Sequence, residues 1–280
     1  MKIFSRKKYG IVMGIFFLSL MAAPAFFSSC VTEMGLDKPF LLCAQESENT
    51  ANSLSEQEVL ALARQHAPFL VFHPEEGKFC CYPSDAVEAY TLWVSKGSDI
   101  PENLQQMPKT LDQNAPCYFQ YWEGKCQTPQ GKKLLQRIKY WFWYRFNRVP
   151  NSGGIGNHLG DWEHAEVILL DKKPAVYILS CHELRRYIPP EFAQLSNDRI
   201  KVWPGKGTHA NYESHKPAKP YKKVILEAFT WQDVLADGGE IWDTSKNLVA
   251  INKTPFANYR GHWWDPDSPV VRQFENKVGK

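Results

Sequence analysis

Three side chains that could hold a divalent cation lie within six residues: His158, Asp161 and Glu163, in the stretch Asn157-His158-Leu159-Gly160-Asp161-Trp162-Glu163-His164. Two carboxylates and an imidazole suit Ca²⁺ or Mg²⁺ if waters complete the shell. They suit Zn²⁺, Mn²⁺ or Fe²⁺ if further histidines join. With open positions, such a centre could activate a water for hydrolysis. A plainer reading of the same residues has Asp161 capping a turn, Glu163 paired with an arginine, and the histidines filling polar gaps in a core. Trp162, between the carboxylates, reads as an apolar anchor. Asn157 and His164 flank the ligands as supporting residues.

The elements around this stretch must position it. Upstream, Asn147 to Gly156 is a loop with Pro150, Gly153, Gly154 and Gly156; downstream, Ala165–Leu170 is an apolar strand. A loop that ends in ligands and feeds a rigid strand is a common way to build a site. Before the loop, Ile138, Tyr140, Phe142, Tyr144 and Phe146 alternate with Lys139, Trp141, Trp143 and Arg145, the period of a strand buried on both faces. After it, Glu163–Leu170 and Ala175–His182 read as a hairpin through Asp171-Lys172-Lys173-Pro174. Pairing Leu170 with Ala175 sets Glu163 opposite His182. It also sets Ala165, Val167 and Leu169 opposite Ser180, Ile178 and Val176 on a core-side row. His164 and Glu166 then project from the other face as ordinary polar positions, and Arg185 and Arg186 follow in a loop.

Elsewhere, Ile200–Pro204 is a short strand, and the Gly-rich turn from Gly205 to Tyr212 delivers His209. Ser55-Glu56-Gln57-Glu58 is a capping box opening a helix that Pro68 ends, with His66 packed near its end. Phe69–Phe72 is a strand and His73–Phe79 a charged, solvated turn. Ser84–Trp93 is a short helix, and residues 94–116 form a long irregular connection. Tyr221–Thr230 can be strand or helix, Asp237-Gly238-Gly239 is a turn, and Tyr259–Trp264 reads as a strand closing the sheet. The expected fold is mainly β, an antiparallel β-sandwich with a few peripheral helices.

Ten Trp, twelve Tyr and sixteen Phe favour strands and a substantial core over disorder. A net charge of +3, with no basic stripe interleaved with aromatics, gives no nucleic-acid surface. Lys2, Arg6, Lys7 and Lys8 precede an apolar run from Gly10 to Met21. Three readings are open: a signal peptide cleaved near Ala23-Pro24-Ala25, a lipoprotein signal acylated at Cys30, or a retained anchor. Each puts residues 55–280, taken as one domain behind a polar tether at 31–54, outside the reducing cytosol. Beyond Cys30 stand Cys43, Cys80, Cys81, Cys117, Cys126 and Cys181, open to about 15 pairings. A local Cys117–Cys126 staple and buried free thiols are both readings of them. The lack of a CxxC pair argues against a thiolate zinc site.

His158-Leu159-Gly160-Asp161-Trp162-Glu163 resembles the HxGDWE core of the vacuolar protein sorting-associated protein sixty-two family. Similar segments follow that family's order: Ala67–Glu76, Ser180-Cys181-His182, Gly207–Tyr212 and Tyr259–Trp263. The pair Cys80-Cys81 and the connection at 94–116 depart from its pattern. The core is more distantly similar to the GHRHDWE hallmark of the necrosis-inducing cytolysins, secreted β-sandwiches with a divalent cation at the motif. There, Gly160 stands where that family has its second histidine, and no carboxylate near Pro150 and Asn151 matches its upstream ligand; His182 or His209 could substitute. The resemblances imply an exported or membrane-anchored protein with a divalent-metal pocket formed by His158, Asp161, Glu163, His182 and His209. It would be a metal-dependent hydrolase, a membrane- or glycolipid-binding module, or a non-catalytic envelope protein, with membrane lipid or glycan as the implied partner.

Overall fold

The alternating aromatics around residue 140 form the spine of the molecule. The computed structural model describes residues 54–128, 131–226 and 229–271, without the side chains of 225–229. The signal-like segment, Cys30, Cys43 and most of the tether lie outside the described residues. In chain order the elements are α1 (Glu56–His66), β1 (Phe69–Val71), α2 (Glu76–Phe79), α3 (Ala86–Leu92), α4 (Glu102–Gln105), β2 (Cys117–Thr128), β3 (Gly131–Asn147), β4 (His158–Leu170), β5 (Lys173–Cys181), β6 (Leu184–Ile188), β7 (Leu195–Ser196), β8 (Arg199–Pro204), β9 (Asn211–Tyr212), β10 (Lys222–Leu226), β11 (Phe229–Gln232), β12 (Ile241–Asp243) and β13 (Leu248–Ala250). The capping box at Ser55 and Glu58 is formed. Asp85 caps α3 through the Val87 N–H.

The protein is mainly β, with sheets of mixed orientation. The larger sheet runs β13-β2-β3-β4-β5-β6; its β2–β6 meander is antiparallel, and β13 joins parallel to β2. The smaller sheet runs β12-β1-β8-β7, with β9 also on β8 and with β1 and β8 parallel. The main core lies between the sheets. Ile138, Tyr140, Phe142, Tyr144, Ala165, Val167, Tyr177 and Leu179 of the large sheet meet Leu70, Val202 and Trp242 of the small one and Ala63 of α1. The opposite face of the large sheet carries Trp141, Trp143 and Trp162. It is covered by α3 and by Phe256 and Trp263 of the C-terminal segment. Both faces of β3 are therefore buried, as its sequence requires.

Several expectations change. β4 begins at His158, so the candidate ligands sit on the strand itself. The β4–β5 turn is the two-residue Asp171-Lys172, both with positive φ (49° and 66°), the geometry of a type I′ turn. Leu169 pairs with Pro174 and Ile168 with Val176, so a bulge shifts the register by one beside the proline, which has no N–H for the ladder. Ala165 consequently faces Leu179, and Glu163 is not opposite His182. Ile178 and Val176 pack with Ile168 on the other face. Tyr221–Thr230 resolves into the β10–β11 hairpin. Tyr259–Trp264 is not a strand; it is a turn segment with Trp264 at φ 62° and a single bridge between His262 and Asp267. Glu166 and His164 are buried, and Glu166 forms a buried ion pair with Arg137. Cys126 is disulfide-bonded, whereas Cys80, Cys81, Cys117 and Cys181 are free, so the Cys117–Cys126 staple is not made. Among the described residues, no helix is long and apolar enough to cross a membrane.

Candidate functional site

Strand alternation decides where the HLGDWEH side chains go. Asp161 pairs across the ladder with Tyr144, and Glu163 with Phe142, so both carboxylates face the core between the sheets. Trp162 pairs with Trp143 and enters the opposite aromatic cluster, within 5.2 Å of the Trp263 ring. It is the apolar anchor its sequence context suggests. His164, on that same face, packs its ring 4.9 Å from Trp141. Gly160 has φ 66°, and a Cβ there would stand 2.5 Å from the Trp263 carbonyl oxygen. No side chain fits at 160, so the second cytolysin histidine has no equivalent. Beyond this kink, His158 places Nδ1 2.8 Å from the Gly160 carbonyl. Asn157 accepts the Val149 N–H at 2.8 Å and pins the glycine-rich loop.

The turn after β8 brings a distant histidine to Asp161. His209, at φ 54°, donates its own N–H to the Gly205 carbonyl at 2.9 Å, and its Nδ1 lies 2.8 Å from Asp161 Oδ2. Its ring stacks on Tyr144, with centroids 3.7 Å apart and planes at 3°. Within the same turn, the Gly207 N–H donates to both carboxylate oxygens of the fully buried Glu76, at 3.0 and 3.1 Å. A Cβ at Gly207 would strike the Arg148 carbonyl oxygen at 2.4 Å. Glu76 Oε1 lies 3.6 Å from His209 Nε2. That nitrogen has no hydrogen-bond partner among the described residues.

Two cysteines complete the cluster. Cys80 and Cys81 follow α2, are fully buried, and hold their sulfurs 3.0 Å apart. The Cys81 thiol reaches the Phe146 carbonyl at 3.2 Å. Among the described residues, Cys80, Cys81 and His209 form the one group of three such side chains whose ligand atoms all lie within 4.8 Å of one another. Burial acts to raise the Cys81 thiol, but Cys80 and His209 outweigh it and bring its pKa down to about 6. Burial and Cys81 push the Cys80 thiol well up. Burial would lower His209; the Asp161 bond, with the neighbouring Cys81 and Glu76, overcomes it and holds the imidazole well above its ordinary range. Burial, with the charges of Asp161, Glu76 and Glu163, drives Tyr144 far up.

The remaining predicted ligands lie apart from this cluster. Glu163 accepts a short hydrogen bond from the Ser180 hydroxyl, which also takes the His164 N–H at 2.7 Å. Asn211 Nδ2 donates to Ser180 Oγ at 3.1 Å. His182 pairs through Nε2 with Asp233 Oδ2 at 2.8 Å. Asp233 also accepts from Tyr212 at 2.5 Å and from Thr208 at 2.6 Å. Burial would lower His182, yet Asp233, with help from Glu163 and Asp161, raises it. Asp233 and Trp231 border an open cleft of about 530 Å³, together with Pro150, Asn151, His215 and Lys216.

Of the five candidate ligands, the fold thus joins Asp161 and His209 directly. It links Glu163 to the neighbourhood through Ser180, gives His182 a separate partner, and leaves His158 beyond the kink. Glu76, Cys80, Cys81 and Tyr144 were not among the candidates. The signal that could have found three of them was local: a Cys-Cys pair interrupting a family-like segment, four residues after a glutamate.

No family model matches the chain. It is 32% identical over 136 residues to vacuolar protein sorting-associated protein 62 of Saccharomyces cerevisiae, covering 41% of this chain and 28% of that one. It is 30% identical over 171 residues to TDA6 of the same yeast, a candidate vacuolar protein sorting-associated protein, covering 47% and 35%. A solved structure described as a toxin fold for microbial attack and plant defense aligns with a TM-score of 0.43 at 17% identity, over 75% of this chain and 82% of that one. The chain therefore spans well under half of its yeast relatives, and the likeness to them, with the HLGDWE core on β4, supports the vacuolar protein sorting-associated protein 62-like family for this chain.

Proposed function

We propose that this β-rich protein binds a divalent metal ion in the pocket where β4 meets the turn after β8, centred on Asp161 and His209. The observation that carries the reading is the 2.8 Å contact between Asp161 Oδ2 and His209 Nδ1 in a fully buried setting. A carboxylate on one ring nitrogen fixes the tautomer and presents the other nitrogen as a donor, the arrangement that orients metal-bound histidines. Because His209 is wholly enclosed, the reading is one of binding rather than turnover, and hydrolysis is not part of it. Export belongs to the same proposal. The basic and apolar N-terminal sequence and the disulfide at Cys126 both accord with an oxidising compartment.

Elemental analysis of the purified protein tests the metal reading. About one divalent ion per chain is expected in the wild type, falling to a small fraction in His209→Gln. Negligible metal in both would overturn it.

A further inference from the structure

Building on that metal-pocket reading, we infer that Cys80, Cys81 and His209 are the ligands of a thiolate–imidazole site for a borderline-soft divalent cation of the Zn²⁺ class, with Asp161 as the residue that orients the imidazole. Sequence spacing alone hides such a site, because no CxxC pair is present. The fold supplies it by setting an adjacent Cys pair against a histidine about 130 residues away.

The geometry favours a bound ion over a merely packed core. His209 Nε2 is fully buried and has no hydrogen-bond partner among the described residues, and a ring nitrogen of His209 lies within 4.8 Å of both sulfurs. A buried polar atom left unsatisfied costs about 1–3 kcal/mol. A metal ion that takes the place of the Nε2 proton removes that cost, and the Asp161 bond keeps the proton on Nδ1, so Nε2 is the nitrogen offered to the metal. The Tyr144 stack fixes the plane of the ring.

The donors also select the metal. Ca²⁺ and Mg²⁺ take oxygen ligands, and two sulfurs exclude them. Thiolates with an imidazole are the donors of Zn²⁺ sites. The two thiols are not bonded to each other, whereas Cys126 is disulfide-bonded. Glu76 Oε1, 3.6 Å from Nε2, brings a carboxylate to the same side. Lys109 and Arg148, the basic side chains that approach, are committed to the main-chain carbonyls of Cys80 and Phe79, at 2.9 and 2.8 Å. Cys80, Cys81 and His209 are all buried, so the site is screened from solvent.

The full-length protein, stripped with a chelator under reducing conditions, is titrated with Co²⁺ and separately with Zn²⁺. The expected result is one Co²⁺ per chain with a sulfur-to-cobalt charge-transfer band and intense tetrahedral d–d bands, both displaced by Zn²⁺. Cys80→Ser/Cys81→Ser loses the charge-transfer band; Asp161→Asn keeps the band with affinity lowered about 10–100-fold. X-ray absorption of the wild-type zinc form needs no variant, and should read two sulfur scatterers at about 2.3 Å. Stoichiometric metal without charge transfer, or without sulfur in the first shell, overturns this ligand assignment and leaves the metal pocket standing. No metal in the wild type overturns both. A Cys80–Cys81 disulfide in the protein as purified, found by mass after alkylation, overturns the thiolate site.

Discussion

His182 and His209 enter the molecule in the same way and end in different chemistry. Both have a left-handed backbone, at φ 56° and 54°, and each meets an aspartate at 2.8 Å. Yet Asp233 is saturated: besides His182 it accepts from Tyr212 and Thr208, next to an open cleft. Asp161 has His209 opposite it in a closed pocket, where the imidazole lies beside two thiols and its far nitrogen is 3.6 Å from Glu76. The histidine–carboxylate pair is thus not itself the site. What the free nitrogen sees, and how many donors the carboxylate already holds, separates a hydrogen-bonded strut from a ligand set.

The comparison can be broken most directly by removing each imidazole from metal-free protein. His209→Ala leaves Asp161 and Glu76 buried without their shared cation. Breaking a buried charge pair from one side costs about 3–5 kcal/mol. His182→Ala leaves Asp233 with two hydroxyl donors, and its side chain is 17% exposed, so a loss of about 1–2 kcal/mol is expected. Urea unfolding of both variants reads the difference. Equal losses would show that the surroundings of the two pairs do not matter.

A pH series sharpens the same contrast at the weaker site. The His182 pKa is raised in the folded protein, so its ion pair stabilises fully below the unfolded histidine value of about 6.5. That stabilisation is lost as pH rises through the folded value. The stability gap between wild type and His182→Gln, which cannot titrate, should therefore be widest below the unfolded histidine value of about 6.5 and narrow as pH rises through the folded value. Other titrating groups are common to both proteins and largely cancel. A gap that stays flat or grows with pH would remove His182–Asp233 as the cause.

What was legible in the sequence was local. Period-two aromatics foretold β3, Ser55 and Glu58 foretold the α1 cap, and the HLGDWEH stretch pointed to a real junction of carboxylates with the core. The failures came where one residue overrides a pattern, or where contacts are long-range. The β4–β5 turn falls at Asp171-Lys172 rather than one residue later, which removes the Glu163–His182 pairing, and the bulge at Pro174 then exchanges the faces of β5. β2 was missed as a strand because its apolar positions are broken by Gln120, Glu123 and Lys125. Nothing local announces that Cys81 and His209 meet. Their approach depends on the parallel pairing of β1 with β8, whose partners Leu70 and Val202 stand far apart in the chain. The solvated reading of Glu76 failed for the same reason, since its hydrogen-bond donor is Gly207.

The smallest expected effect tests how the pocket is held. The Tyr144 hydroxyl is buried and has no hydrogen-bond partner among the described residues, while its ring stacks on His209. Tyr144→Phe deletes an unsatisfied polar atom and keeps the stack. Such a change is neutral or mildly stabilising, within about 1 kcal/mol, because no bond is lost and a desolvated oxygen is relieved. The hydroxyl also faces Asp161, Glu76 and Glu163, whose charges raise its pKa beyond the effect of burial, so it contributes no anion of its own. If the ring is what matters, Tyr144→Phe retains metal at the wild-type level and Tyr144→Leu does not, as read by metal content and unfolding midpoint together. A loss of metal in the Phe variant would make the oxygen a participant and the stack incidental. The His209 pocket would then resemble the hydroxyl-rich Asp233 cluster more closely than its thiols suggest.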